Sequence, residues 1–168
     1  QLMPGAKFFP EGKLNYTENL LRLRDATPAI TFWGEDRIKR YLSRRQLYDL
    51  VSRMAQALAD AGVRKGDRVA GYLPNVPEAT AALLATASLG AVWSSCSPDF
   101  GVQGVVDRFG QIGPKVLIAA DGYYYGGKRF DGLAKLGEVL ARIPAIERAV
   151  VVPYAGGDGP LPDKAVTL

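Results

Sequence analysis

Residues 68–120 read "RVAGYLPNVPEATAALLATASLGAVWSSCSPDFGVQGVVDRFGQIGPKVLIAA", and this stretch decides the fold of the chain. Apolar runs at its start, at "AVWSS" and at "KVLIAA" predict three strands. Between the first two, a capping pair of Asn75 and Glu78 predicts an alanine-rich helix that ends at Gly90. Between the last two, "GVQGVVDRFGQI" predicts a second helix, which the following Gly-Pro pair stops. Such alternation predicts a parallel sheet with right-handed crossovers.

The pattern continues towards the C-terminus and then fades. A helical pattern around "LAKLGEVLARI" and an apolar run in "ERAVVVP" extend the alternation to Val152. Residues 154–168 show no periodicity, and we predict that they form a loop leading out of the folded part of this chain, as if it were a piece of a longer one.

The N-terminal side divides into an irregular arm and a more regular part. Residues 1–28 are rich in Pro, Gly and polar side chains and hold one short amphipathic stretch, for which Thr17 is the predicted cap. "AITFW" and "KRYLS" predict two strands around the turn "GEDRI", and Ser43 with Gln46 predicts a capped helix that ends at Gly62. The predicted fold is α/β, with an arm (1–28), an α/β subdomain (29–153) and a terminal loop (154–168).

Composition excludes several classes of protein and site. The chain has 168 residues, 48% hydrophobic and 23% charged, with a net charge of +4, which is typical of a soluble globular domain. A single cysteine, Cys96, excludes an intrachain disulfide and favours the cytoplasm. With no histidine, neither a zinc site nor a Ser-His or Cys-His nucleophile pair can form within the chain. We predict no metal site, no membrane span and no nucleic-acid partner.

Three segments follow predicted strands, "PNVPE", "SSCSPDFG" and "DGYYYGGKRF", and should share one rim, because ligands of open parallel sheets bind beyond the carboxyl ends of the strands. In the third, two glycines allow close backbone approach, Lys128 and Arg129 offer cations to a phosphate, and a tyrosine ring could stack on a base. The alternative is an ordinary connection with a solvated tip, since neither a dinucleotide fingerprint nor a phosphate loop is present. The serines of "SSCSPDFG" either help seat an anion or only cap a helix.

Three segments carry a resemblance to a known family: "FFPEGKLNYTENLL", "GVRKGDRVAGYLPNVPEATAALLATASLGAVWSSCSPDFG" and "DRFGQIGPKVLIAADGYYYGGK". They resemble the N-terminal part of the acetoacetyl-CoA synthetases, a branch of the adenylate-forming acyl-CoA synthetase superfamily. The resemblance runs from about Met3 to about Pro153. It implies that residues 29–153 are a subdomain of the large domain of such a ligase.

The resemblance implies a parent enzyme that converts acetoacetate, ATP and CoA to acetoacetyl-CoA, AMP and diphosphate through an acyl-adenylate, with Mg²⁺. Enzymes of this family use a Ser/Thr/Gly-rich loop ending in Pro-Lys, an Asp that holds the ribose and a Lys on a mobile C-terminal domain. This sequence contains none of them, so we assign no catalytic residue and expect these residues alone to be inactive.

The resemblance also implies part of a CoA site. In related acetyl-CoA synthetases two arginines help bind the CoA 3′-phosphate, and their positions correspond here to Tyr125 and Lys128, of which only Lys128 keeps the charge. A Gly-Gly pair of those relatives corresponds to Ser94 and Ser95. These four residues are the predicted CoA-binding residues of the chain.

Two alternatives remain open from the sequence. The chain could be a fragment of an acetyl- or propionyl-CoA synthetase, or a non-catalytic α/β binding module. In the fragment interpretation the missing partner is the remainder of the ligase chain, and its absence should leave apolar surface exposed. We therefore expect self-association or modest stability.

Overall fold

The computed structural model describes residues 5–35 and 38–168. Their helices are α1 (Tyr16–Leu20), α2 (Arg44–Asp60), α3 (Pro77–Ser88), α4 (Val102–Ile112) and α5 (Leu133–Arg142). Their strands are β1 (Pro28–Trp33), β2 (Lys39–Ser43), β3 (Arg68–Tyr72), β4 (Val92–Cys96), β5 (Val116–Ala120), β6 (Gly122–Tyr125), β7 (Lys128–Asp131), β8 (Arg148–Val152) and β9 (Ala165–Thr167). None of the helices in these ranges is long and apolar enough to cross a bilayer.

The central sheet has the order β4-β3-β5-β8-β9, and each neighbouring pair is parallel. The alternation of strands and helices from residue 68 onwards therefore confirms the predicted α/β fold with a parallel sheet. Because all five strands run in one direction, their carboxyl ends meet at one edge of the sheet, where ligand sites of such folds lie.

Strand β5 shows how the sheet separates two apolar layers. All five of its residues are buried. Val116 and Ile118 pack in the cluster that includes α2 and α3, whereas Leu117 and Ala119 pack in the cluster that includes α4 and α5. Successive strand residues point to opposite faces, and a strand covered on both faces reads as a continuous apolar run. The apolar run "VLIAA" follows from this burial.

Helix α2 begins and α4 ends as the sequence predicts. Ser43 and Gln46 form a complete capping box, in which each side chain accepts from the other residue's backbone N–H. Gly113 follows α4 with a φ of +52°, a left-handed conformation that glycine adopts without strain.

The predicted cap of α3 is wrong. Val76 is the N-cap and makes no side-chain capping bond, while Pro77 occupies the first helical position. Glu78 is buried instead against the guanidinium of Arg40, which binds both carboxylate oxygens. A tertiary ion pair has replaced the local bond that the capping pattern predicts.

The predicted cap of α1 is also wrong, because Asn15 rather than Thr17 caps the helix. Asn15 accepts the backbone N–H of Thr17 at 2.9 Å and donates from Nδ2 to Ser88 O at 3.2 Å. The buried hydroxyl of Thr17 donates to Leu84 O at 2.8 Å. These bonds satisfy carbonyls at the C-terminal end of α3 and tie the arm to it.

The predicted strands of the first hairpin are confirmed, since β1 and β2 pair antiparallel. Residues 1–4 of the predicted arm, and residues 36 and 37 of the predicted turn, lie outside the described residues. The tail differs from its prediction as a plain loop, because β9 lies within it and extends the sheet beside β8. Three strand residues were too few to show a periodicity.

Candidate functional site

A cavity of about 580 Å³ lies where the strands of the central sheet end. It is lined by Pro74 and Asn75 after β3, by Ser97, Pro98 and Asp99 after β4, and by Tyr154 after β8. Tyr123, Tyr124 and Tyr125 of β6 line it as well. The three segments predicted to share a rim therefore do share one.

The tyrosine stretch is an antiparallel hairpin, β6 and β7, rather than an irregular loop. Gly126 and Gly127 form its tip with φ of +57° and +74°. Two consecutive positive φ values are typical of the tight turns that join twisted strands, and glycine is the residue that adopts them without strain. The backbone N–H of Gly126 donates to Glu35 Oε2 at 3.0 Å, so the tip of this hairpin contacts a residue that lies two positions after the end of β1.

The structure brings three of the four predicted CoA-binding residues to the cavity or its rim. Tyr125 lines the cavity with 67% of its surface exposed, and Lys128 lies opposite it in the hairpin register. Ser95 is exposed and lines the cavity. Ser94 is half-buried beside Ala70 of β3 and does not line the cavity.

Aromatic rings beyond the hairpin also line the cavity and, with the tyrosines of β6, form its aromatic wall. Tyr154 packs edge-on against Phe32 of β1, with ring centroids 6.0 Å apart, and against Tyr124 of β6, with centroids 5.8 Å apart. Trp33 and Trp93 also line the cavity, and they are the chain's two tryptophans. The wall can hold a flat or apolar group, and the tryptophan fluorescence of the chain comes from the cavity lining.

Cys96 lies in the cavity lining but is a protonated thiol. Burial raises its pKa to about 11; the nearby Arg108 lowers it, and Asp99 raises it further. A thiol with so high a pKa is a poor nucleophile near neutral pH. Cys96 therefore contributes shape rather than reactivity to the cavity.

Tyr72, at the end of β3, was not identified from the sequence. Its hydroxyl donates to Phe100 O at 2.7 Å and lies 3.2 Å from Pro98 O. Burial, together with the nearby Cys96, Tyr123 and Asp99, raises the pKa of Tyr72 to about 12, so the hydroxyl stays a donor. Tyr72 thereby fixes the segment that carries Ser97 and Asp99.

Asp121 was likewise missed, because an Asp after a strand is an ordinary turn residue. It is 5% exposed, with Oδ1 accepting from the N–H groups of Tyr154 and Ala155 at 2.8 Å each and Oδ2 accepting from Gly157 at 2.9 Å. Burial alone would raise its pKa, but the bonds from the backbone outweigh burial and leave the pKa below its usual 3.8. Asp121 is therefore ionised at neutral pH. In the described ranges 5–35 and 38–168, no group of three or more Cys, Asp or Glu could hold a metal ion.

The chain is similar to known enzymes over nearly all of its length. Residues 21–164 match the model of the family described as AMP-binding enzyme. The chain is 53% identical over 159 residues to an acetoacetyl-coenzyme A synthetase of Rhizobium meliloti strain 1021, with 95% of the chain and 24% of the relative covered. It is 42% identical over 159 residues to an acetoacetyl-CoA synthetase of Mus musculus, with 88% of the chain and 22% of the relative covered.

A solved structure shows the same fold. The acetoacetyl-CoA synthetase from Streptomyces lividans superposes with a TM-score of 0.90 at 42% identity, over 98% of this chain and 26% of that one. The chain thus spans about a quarter of the length of these relatives. Since the family model matches most of its residues, the chain belongs to the family of AMP-binding enzymes.

Proposed function

We propose that this chain is the N-terminal part of the large domain of an acetoacetate–CoA ligase, and that it contributes part of the rim that binds CoA. One observation carries the proposal: the segment "SCSP" at the end of β4 and the tyrosines of β6, which are far apart in sequence, meet on one cavity. The similarity to acetoacetyl-CoA synthetases over nearly the whole chain supports it. The division into an arm (1–28), a subdomain of the large domain (29–153) and a terminal segment (154–168) belongs to the same proposal.

The parent ligase would form an acyl-adenylate from acetoacetate and ATP with Mg²⁺ and then transfer the acyl group to CoA. Stabilising the charge on the transferring groups requires cations and N–H donors around the polyphosphate, and this sequence contains no phosphate loop for that purpose. These 168 residues alone are therefore proposed to be inactive. A cytoplasmic location is proposed for the ligase, because these 168 residues, with one cysteine, carry no intrachain disulfide of the kind typical of secreted domains.

The chemistry of the hairpin tip suits the nucleotide end of CoA. Lys128 is an exposed ammonium beside Tyr125, and Arg129 follows it in β7. A phosphate near Lys128 would gain a charge-assisted hydrogen bond, and the exposed ring of Tyr125 offers a face to a base. Because Lys128 is solvated, its contribution should be modest and dependent on salt.

The first test is a titration of the chain with CoA, in which the fluorescence of Trp33 and Trp93 reports binding. We expect Lys128→Ala to weaken CoA binding about fivefold, the effect of removing one exposed charge contact of about 1 kcal/mol. The same variant should bind dephospho-CoA, which lacks the 3′-phosphate, as tightly as the unsubstituted chain does.

A matched control is Lys13→Ala, which removes an exposed lysine of the arm. This variant should leave both titrations unchanged. Equal losses of affinity for CoA and dephospho-CoA in Lys128→Ala would contradict a 3′-phosphate contact at Lys128. The absence of any CoA-dependent signal in the unsubstituted chain would contradict the CoA role itself.

We further propose that the chain self-associates through apolar side chains of its arm. Phe8, Phe9 and Leu14 are 71%, 87% and 87% exposed, which is unusual for three large apolar side chains within seven positions. Sedimentation velocity at rising protein concentration should show dimers or larger species. A single monomeric species at every concentration would contradict this proposal.

A further inference from the structure

The buried carboxylate of Asp121 occupies the junction of three structures that reach the cavity. Its backbone N–H donates to Val152 O at 3.1 Å, which closes the end of β5 against β8. Its backbone oxygen accepts the N–H of Gly132 at 2.8 Å, which closes the base of the β6–β7 hairpin. Its side chain holds the segment 154–157. One residue thus ties the sheet edge, the tyrosine hairpin and the segment after β8 together.

The aromatic wall depends on the same junction. Tyr154 receives one of its backbone restraints directly from Asp121 Oδ1. Its ring then bridges Phe32 of the first hairpin and Tyr124 of the second. Tyr124 in turn lies three residues after Asp121, in the strand whose base Asp121 closes. A shift of this carboxylate would therefore move two of the rings that line the cavity.

The charge on Asp121 is what suits it to this task. An ionised carboxylate only accepts hydrogen bonds, and three backbone N–H groups fill its two oxygens in a largely buried place. An amide of the same shape would turn one acceptor towards the segment as a donor, leaving a buried N–H group facing another N–H group. Asparagine at position 121 should therefore fit the space but no longer hold residues 154–157 in place.

We propose that Asp121 is a positioning residue that sets the aromatic wall of the cavity through Tyr154, and thereby sets the affinity for the ligand. Asp121 does not line the cavity, so it acts through the ring and not by contact with the ligand. The ligand part of this inference rests on the proposed CoA function, while the placement of the rings does not.

The test compares Asp121→Asn with a control that loses stability elsewhere. Ile146 is fully buried just before β8, at the opposite edge of the sheet from the cavity, so Ile146→Ala should lower the unfolding midpoint without moving the wall. At a temperature where both variants are folded, near-ultraviolet circular dichroism should change for Asp121→Asn and stay as in the parent chain for Ile146→Ala. CoA affinity should fall about tenfold for Asp121→Asn and remain unchanged for the control, because a displaced wall loses its preorganisation.

A second variant, Tyr154→Leu, removes the ring but keeps the carboxylate and its backbone bonds. It should also weaken CoA binding about tenfold, and the double variant should be no weaker than either single variant, since both changes act through one ring. A hundredfold loss in the double variant would overturn the inference. If Asp121→Asn does not fold, unchanged dichroism or unchanged CoA binding in Tyr154→Leu would overturn it.

The two proposals fail in different ways. If the unsubstituted chain does not bind CoA, the proposed function fails. The comparison of the near-ultraviolet dichroism of Asp121→Asn with that of Ile146→Ala then still decides whether the carboxylate positions the rings. If CoA binds the parent chain and Asp121→Asn equally well, the positioning role fails while the function stands.

Discussion

Replacing Phe109 with alanine is expected to lower the free energy of unfolding by about 4 kcal/mol, the loss typical of emptying a fully buried aromatic site. Phe109 lies in α4 with no exposed surface and packs in the cluster that contains Ala70, Leu117 and Leu136. Because the side chains of a closely packed core relax only partly, they cannot refill the space of a benzyl group. Urea denaturation followed by far-ultraviolet circular dichroism measures the change.

Phe8→Ala, compared at a protein concentration where the chain is monomeric, is the matched control, because it removes the same side chain from a position that is 71% exposed. Its free energy of unfolding should stay within about 0.5 kcal/mol of the parent value. A loss of less than about 1 kcal/mol in Phe109→Ala would contradict close packing of α4 on the sheet.

The second large effect is expected for Gly122→Ala, which adds one methyl group at the base of the tyrosine hairpin. A Cβ atom at residue 122 would lie 2.4 Å from Phe130 O and 3.0 Å from the Cβ of Ala155. Both neighbours belong to structures that Asp121 holds in place, so neither can move freely. We expect the free energy of unfolding to fall by about 3 kcal/mol, the upper part of the range for overpacking. The near-ultraviolet dichroism should change as well.

Gly110→Ala makes the same chemical change as Gly122→Ala but should raise the free energy of unfolding instead of lowering it. Gly110 is an exposed residue inside α4, and a Cβ atom there would meet no atom within 4 Å. Alanine should stabilise the chain by about 0.5–1 kcal/mol, because glycine is the poorer helix former. If both variants proved equally stable, the contact between Gly122 and the backbone of Phe130 would be wrong.

The sequence predicted the order of elements well, because that order depends on local patterns. Continuous apolar runs indicated the buried strands, and the serine–glutamine capping box and Gly113 marked the ends of two helices. The shared rim followed from the rule that parallel strands end at one edge. The family resemblance then identified the two segments that meet there.

What the sequence could not predict depends on partners far along the chain. Glu78 matches a capping pattern but binds Arg40, and Thr17 matches a cap but donates to Leu84, because tertiary partners offered better bonds than the local backbone. The role of Asp121 was invisible for the same reason, since its acceptors serve residues more than thirty positions away. The only local sign was a single acid after a buried strand.

The strand order of the central sheet also describes how the chain can be assembled during synthesis. After β3 and β4 have paired, β5 joins the free side of β3, β8 joins β5, and β9 joins β8. From β5 onwards the sheet therefore grows in one direction only, each new strand of this sheet docks on its free edge, and no existing pair has to separate to admit it. Growth in one direction suits a parallel sheet, because its non-local pairings otherwise form slowly and leave aggregation-prone intermediates.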